Sequence, residues 1–404
     1  MLKTPESLRL QIGFFGRRNV GKSSLLNALA NQKISIVSDT PGTTTDPVKK
    51  AMELIPLGPV LFIDTAGLDD EGLLGAERVR RSETILNSVD AAVVVLTAKG
   101  LGEDVAALLS HLQKQKVATV VAVNLSDLAV LEESMQAELE AYGFPIVQTS
   151  ALTGEGIAAL RAAIVSTVPQ RLIKDRPILS DLIDPEKVLI LVTPIDAEAP
   201  KGRVIMPQVQ ALRDALDNHI VTMVVTEKEL HRTLKLLKAP PGLVVTDSQA
   251  FEEVSAIIPE SVPLTSFSIV FARFKGDLEQ FAQGARLLST LKASSKILIA
   301  EACSHNPVEG DIGQEKLPHW LREKIGEGLS FDFVKGQEFY DPEQLSKYDM
   351  VIHCGGCTLN RNGMLSRLNH AREAGVPMTN YGLSIAWAHG ILERTLAPFG
   401  INQS

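Results

Sequence analysis

Short apolar runs alternate with helix-spaced apolar positions along most of this chain. In "LRLQIGFF" Leu8, Leu10, Ile12 and Phe14 fall on one face at a period of two. "VLFIDTAG", "AAVVVL", "TVVAVN" and "PIVQTS" read as further buried strands, and helix-like segments such as "SSLLNALANQ" lie between most of them. Strands alternating with helices predict a parallel-type sheet covered on both faces. Residues 168–187 keep no long period and are punctuated by Pro169, Pro177 and Pro185, which predicts a linker. Beyond it "VLILVT", "IVTMVV" and "GLVV" are strand-like, separated by helical patterns near 206–217, 227–238 and 247–257. A third block follows, with a helix over about 275–292, strands in "KILIAEAC", "LSFDFV" and "YDMVIHC", and helices near 361–374 and 381–395. The expected class is α/β throughout: a first domain over 1–170, then two smaller α/β domains over 186–265 and 266–404.

Composition narrows the partners. A chain of 404 residues has room for two or three domains at roughly 150 residues each. The formal net charge of −8 argues against a bulk polyanion binder, so no nucleic acid is expected. No apolar run approaches the ~18 residues of a membrane span. The start, "MLKTPESLRLQIGFFG", lacks a signal-peptide pattern, so a cytoplasmic location is expected. Three cysteines make no disulfide framework and point to metal or catalytic chemistry.

The first domain carries a nucleotide signature. "GRRNVGKS", Gly16 to Ser23, fits G-x-x-x-x-G-K-[ST] between a predicted strand and a predicted helix. Such a loop, with Asn19, Val20, Gly21 and Ser24 around it, closes backbone N–H groups on phosphates at a helix N-terminus. Lys22 is placed to reach the β- and γ-phosphates and Ser23 to ligate Mg²⁺. Thr44 in "PGTTTD" is a second Mg²⁺ and γ-phosphate candidate. Asp64 and Gly67 in "DTAG" are candidates for the Mg²⁺ shell and for sensing the γ-phosphate. Lys22, Thr44, Asp64 and Gly67 thus form the expected catalytic set. "NLSD" offers Asn124 and Asp127 to read guanine, and "TSALTGEG" offers Ser150 and Ala151 near its O6. GTP or GDP with Mg²⁺ is the expected ligand.

These motifs, with the "GTT" and "DTAGL" wording, resemble the GTPases of the translation-factor-like class, closest to the tRNA-modification GTPases. Two positions depart from the usual pattern. Leu125 stands where a lysine is common, and Leu68 stands where a water-orienting glutamine is found in Ras-like proteins. The resemblance implies slow, K⁺-stimulated hydrolysis, with Asn19 as the K⁺ ligand. No general base is evident; Glu71 is a nearby carboxylate only.

All three cysteines join one pattern: Cys303-x-His305, then His353-Cys354-x-x-Cys357. Both segments follow predicted buried strands, and ligands gather at strand carboxyl ends in open α/β sheets. Three readings remain: unrelated thiols, a closed Cys₃His zinc site, or an iron–sulfur cluster with one iron not held by cysteine. His305 and His353 are possible residues of that site. Candidates for the remaining iron are His305, His353, Glu309, Asp311 or water. His370 and His389 read as surface or packing residues, and Trp320 and Trp387 as core.

A guanine-nucleotide domain joined to a C-terminal C-x-H…H-C-x-x-C site resembles the HydF family, the maturation GTPases of FeFe hydrogenase, over essentially the whole chain. The resemblance implies a GTP-hydrolysing first domain, a dimerising second domain and a third domain with a 4Fe–4S cluster on Cys303, Cys354 and Cys357. It further implies a homodimer that acts as scaffold or carrier for a transient diiron precursor, received through two radical-SAM maturases and passed to apo FeFe hydrogenase. The alternatives from other classes are an RNA-linked GTPase of tRNA-modification or ribosome-assembly type with a zinc-binding C-terminal domain, and a metal-sensing regulatory GTPase.

Overall fold

The computed structural model describes residues 4–31, 38–39, 48–65, 84–169, 176–195, 205–302, 311–336 and 339–401. The chain divides into two compact units, Met1–Asp175 and Arg176–Ser404.

The first unit is built on a seven-stranded sheet of order β2-β3-β4-β1-β5-β6-β7. Its strands are β1 (Leu10–Phe15), β2 (Ser38–Asp39), β3 (Val48–Leu54), β4 (Gly58–Asp64), β5 (Ala91–Thr97), β6 (Ala118–Asn124) and β7 (Ile146–Gln148). From β4 to β7 the neighbours pair in parallel, whereas β2, β3 and β4 are antiparallel. The reason is the short connection between Leu54 and Gly58, which leaves room for a hairpin and none for a crossover. Ile12 and Phe14 pack with Leu25, Leu29, Leu160 and Ile164 of the helices Lys22–Asn31 and Ile157–Thr167. Phe15 points the other way, onto Leu109 and Leu112 of the helix Glu103–Lys114. Leu8 precedes the strand in a 3₁₀ turn, Glu6–Leu8.

The second unit holds two parallel four-stranded sheets. One has the order β11-β10-β8-β9, from β8 (Leu189–Val192), β9 (Thr222–Val225), β10 (Leu243–Thr246) and β11 (Leu264–Ser266). The other has the order β13-β12-β14-β15, from β12 (Lys296–Glu301), β13 (Ser330–Lys335), β14 (Met350–His353) and β15 (Met378–Asn380). In each sheet the central strands are wholly buried runs, Leu189–Val192 and Leu243–Val245 in one, Ile297–Ala300 and Met350–Ile352 in the other.

Three features depart from the sequence pattern. The proline-rich segment expected as a linker is in part core: Ile178, Leu179 and Ile183 pack under the first of these two sheets. Asp214 fastens it, accepting backbone N–H bonds from Ile178, Leu179 and Ser180 at 3.2, 2.8 and 2.8 Å. The helix expected over about 275–292 is Leu278–Leu287 with a 3₁₀ turn, Leu288–Thr290, and Asp277 accepts the Gln280 N–H as its N-cap; the helix Phe267–Lys275, ending just before Gly276, is not expected. Helix Phe267–Lys275 belongs to both cores. Phe267, Val270 and Phe271 face one sheet's core, and Ile269 and Ala272 face the other's. The expected helix over 381–395 is two, Tyr381–Ala388 and Leu392–Leu396.

Candidate functional site

In the first unit the chain leaves β1 through a loop that only glycine permits at its two ends. Gly16 has φ +144°, and a Cβ there would sit 2.1 Å from the Val95 carbonyl oxygen. Gly21 has φ +88°, and a Cβ would sit 2.3 Å from Asn124 Nδ2. Between them Asn19 is also left-handed, at φ 60°. Val20 and Lys22 are buried, while Ser23 and Ser24 are exposed. Lys22 Nζ curls back over the loop and donates to the carbonyls of Gly16 and Arg17 at 2.9 and 2.8 Å.

Ser23 lies in the first turn of the helix Lys22–Asn31, and its hydroxyl donates to the Asp64 carboxylate at the end of β4. The other carboxylate oxygen, Oδ1, is buried with no hydrogen-bond partner. Burial pushes the Asp64 carboxyl up from its ordinary range, against the pull of the Ser23 hydroxyl and the Lys22 and Lys50 charges. A hydroxyl and an under-satisfied carboxylate converging at the lip of a phosphate loop are the hard oxygen donors that Mg²⁺ takes, so these residues fit that ion. Thr44 and Gly67, with Leu68 and Glu71, lie outside the described residues.

Asn124 holds the base-side loops together. Its Nδ2 donates to the Val20 carbonyl at 2.9 Å, and its Oδ1 accepts from Thr149 Oγ1 at 3.3 Å and from the Ala151 N–H at 3.2 Å. The phosphate loop and the 149–151 turn are thus tied through one side chain. The Ser150 N–H donates to the Glu155 carbonyl at 3.0 Å. Both amides expected near guanine O6 are engaged, that of Ser150 within the turn and that of Ala151 with Asn124. Leu125 takes φ 63°, which turns the chain so that Asp127 stands exposed.

In the second unit β12 and β14 are neighbours, so their carboxyl ends meet. Cys354 follows β14 and is half-buried; its N–H donates to the Ala300 carbonyl at 2.8 Å. Its sulfur accepts from the Ala302 N–H at 3.2 Å and from the Gly356 N–H at 3.4 Å. Gly356, at φ +59°, makes the turn that brings Cys357 back. Burial, then the neighbouring Cys354, push the Cys357 thiol up, while Lys275 and the N–H groups of Cys357 and Thr358 pull it down. Cys303 and His305 lie outside the described residues, as does Glu309, although Cys303 directly follows Ala302 in the chain. Among the described residues no three His, Cys, Asp or Glu side chains gather as a metal site.

His353 is fully buried, and both ring nitrogens are engaged. Nδ1 lies 2.7 Å from the Cys354 carbonyl and Nε2 2.8 Å from Arg367 Nη1. A carbonyl only accepts and a guanidinium only donates, so the ring is the Nδ1–H tautomer and offers no lone pair to a metal in this arrangement. Asp311 is buried and caps the following turn through the Gln314 N–H at 2.9 Å. His370 stacks on Phe339, and His389 meets Trp320 edge-on at 5.3 Å between ring centres. Trp320 and Trp387 pack against the core.

Four residues here escaped the sequence pattern. Lys275 is buried beneath the cysteine loop, its ammonium pushed down to about 8 by burial, with Cys357 and Cys354 opposing. Arg367 is buried beside Cys354, lowered by burial to about 10. Glu301, buried at the end of β12, accepts from the Tyr381 hydroxyl at 3.1 Å and pairs with Lys335 at 3.2 Å. Tyr381 is driven well up by burial, then by the charges of Cys354 and Glu301. Lys275 ends the helical run "FSIVFARFK", where a basic residue looks like an ordinary C-terminal charge. Two thiols, N–H donors aimed at sulfur and two buried cations fit an anionic iron–sulfur group.

The comparisons with known proteins bear on both units. Residues 11–125 match the model for a 50S ribosome-binding GTPase domain. Residues 178–276 match the hydrogen maturase F dimerization domain, and residues 279–398 match the hydrogen maturase F tetramerization domain. The chain belongs to the hydrogen maturase F family. Among curated relatives, it is 29% identical over 261 residues to GTPase Der of a Nitratiruptor species, covering 58% of this chain and 56% of that protein. It is 31% identical over 160 residues to tRNA modification GTPase MnmE of Nitrosomonas europaea, covering 39% of this chain and 34% of that protein. The matches thus span about a third to just over half of those relatives' lengths. A similar solved structure is the G domain of the T. maritima FeoB iron transporter, at 28% identity and TM-score 0.31, covering 40% of this chain and 99% of that one. The first unit of this chain is a P-loop GTPase domain, followed by further α/β domains. Among its described residues no helix is long and apolar enough to cross a membrane.

Proposed function

We propose that this chain is a GTP-hydrolysing scaffold or carrier that holds a 4Fe–4S cluster on Cys303, Cys354 and Cys357. It serves the assembly and delivery of the diiron subcluster of FeFe hydrogenase. The observation that carries this reading is the Cys354 sulfur at the joined ends of β12 and β14, with the Ala302 and Gly356 N–H groups aimed at it at 3.2 and 3.4 Å. Amide donors and positive charge beside a sulfur are the surroundings of a metal-bound cysteine. Cys303, one residue after Ala302, supplies the third ligand, and one iron is left without cysteine, open to exchange ligands. The radical-SAM maturases and apo-hydrogenase are the partners that the family membership suggests.

In the GTPase domain Gly16, Asn19, Val20, Gly21, Lys22, Ser23 and Ser24 cradle the phosphates. Ser23, Thr44 and Asp64 hold Mg²⁺, which offsets charge on the phosphates when bound. Gly67 senses the γ-phosphate, and Asn124, Asp127, Ser150 and Ala151 form the base site. The chain works as a homodimer in the cytoplasm, with the 178–276 region as its dimerising part.

Anaerobic reconstitution with iron and sulfide, followed by metal and labile-sulfide counting, tests this reading. The expected product is brown and contains about four irons per chain by the arithmetic of a cubane cluster. Replacing any one cysteine by serine abolishes the cluster and hydrogenase activation while GTP binding persists. A colourless zinc protein, or a triple-serine variant that still matures hydrogenase, overturns it.

A further inference from the structure

Lys275 is 2% exposed at the end of helix Phe267–Lys275, and all three of its ammonium protons are used on one loop. It donates to the carbonyls of Gly356, Cys357 and Leu359 at 3.0, 2.9 and 2.8 Å. These acceptors are more than 80 residues away in sequence. They lie in the tetramerization region, whereas Lys275 lies in the dimerization region.

Peptide planarity gives these bonds a consequence. In a trans peptide the C=O of one residue and the N–H of the next point in opposite directions. Lys275 draws the Gly356 and Cys357 carbonyls downward, so the N–H groups of the same two peptides, on Cys357 and Thr358, are turned the other way. Both N–H groups flank the Cys357 side chain in sequence, and the two carbonyl bonds fix how their peptides lie. Arg361 returns the grip. Its Nη1 donates to the carbonyls of Phe274 and Gly276, on either side of Lys275, at 3.0 and 2.9 Å. The helix end and the cysteine loop therefore clasp each other from both sides.

We propose that Lys275 is a positioning residue of the cluster site, contributed by the dimerization region. It fixes two peptides beside Cys357, with their N–H groups turned away from the ammonium, and it places a buried positive charge beneath the loop that carries Cys354 and Cys357. Positive charge near a cluster favours the extra electron of its reduced form and so raises its reduction potential. The inference rests on the cluster reading given under the proposed function.

The test uses the full-length chain, reconstituted anaerobically and titrated by EPR. Wild-type protein that takes up no iron and sulfide removes the cluster reading itself. Given a wild-type cluster, Lys275→Met keeps the length of the side chain and deletes its donors and charge. The expected outcome is a midpoint potential more negative than wild type, with iron lost several-fold faster to a chelator. A Lys275→Met cluster with the wild-type potential overturns the proposal, because a merely structural lysine leaves the potential unmoved. If Lys275→Met fails to fold, Arg361→Gln releases the other half of the clasp. A smaller shift in the same direction is then expected, and an unchanged potential overturns the proposal.

Discussion

Asn124 is the residue on which the nucleotide site turns. Its amide bridges the Val20 carbonyl and the Ala151 N–H, both inside the first unit. Asn124→Ala leaves the buried Val20 carbonyl without that donor, a loss of about 1–3 kcal/mol. The expected result is a lower denaturant midpoint for the first unit together with weaker GTP binding; a wild-type midpoint would show that water replaces the amide at no cost. Asp127 carries a different expectation. It is exposed and free to meet a ring N–H and an exocyclic amine at once, so Asp127→Asn should move preference from guanine toward xanthine nucleotides in competition binding. Equal binding of ATP and GTP by the native chain would remove the assignment. These residues were legible from order and spacing along the chain. The roles of Lys275 and Arg367 were not, because a lysine ending one helix and an arginine within another carry no local mark of what they face.

At the scale of elements, β12 is the central brace of the cysteine domain. It pairs with β13 on one side and β14 on the other, and Ile297, Leu298 and Ile299 are wholly buried. Leu298→Ala opens a cavity in that layer and should cost about 2–5 kcal/mol in a denaturant titration. A cost below about 1 kcal/mol would mean that the layer collapses around the gap. The segment 176–183 makes a second element-level case. Asp214→Ala takes the acceptor from three backbone N–H groups at once. Proteolytic nicking between residues 176 and 183 should accelerate; an unchanged rate would mean that Ile178, Leu179 and Ile183 alone hold the segment. Apolar periodicity located most strands and helices of this unit. It missed β11 and β15, which have three residues each, too few to show a period; it missed the helix Phe267–Lys275, and it fused Tyr381–Ala388 with Leu392–Leu396. It read 168–187 as linker because prolines dominate the pattern, although the isoleucines and the leucine between them find a core.

For the molecule as a whole, the nucleotide site and the cysteine site lie in separate compact units. Cys357→Ser should therefore leave GTP affinity at its wild-type value, measured on the same preparation that has lost its iron. Hydrolysis carries a further expectation. With Leu68 in place of a water-orienting residue and Asn19 at the loop, turnover should rise in K⁺ over Na⁺ at matched ionic strength, and Asn19→Ala should erase the difference. Identical rates in the two salts would end that idea.

What the sequence determined by itself is local or ordered along the chain. It contains the phosphate loop between a strand and a helix, the later guanine motifs in succession, the alternation that makes parallel sheets, and three scarce cysteines placed soon after two strand-like runs. These are legible because a strand's period, a glycine's φ and a motif's spacing are properties of neighbouring residues. The tertiary structure decided which strands lie side by side, and so which ends meet. It decided that His353 spends both nitrogens on Cys354 and Arg367, that one helix serves two cores, and that Lys275 closes on a loop 81 residues away. Those outcomes depend on sheet order and helix packing, where a side chain's partner is set by the burial of everything between them rather than by its place in the chain.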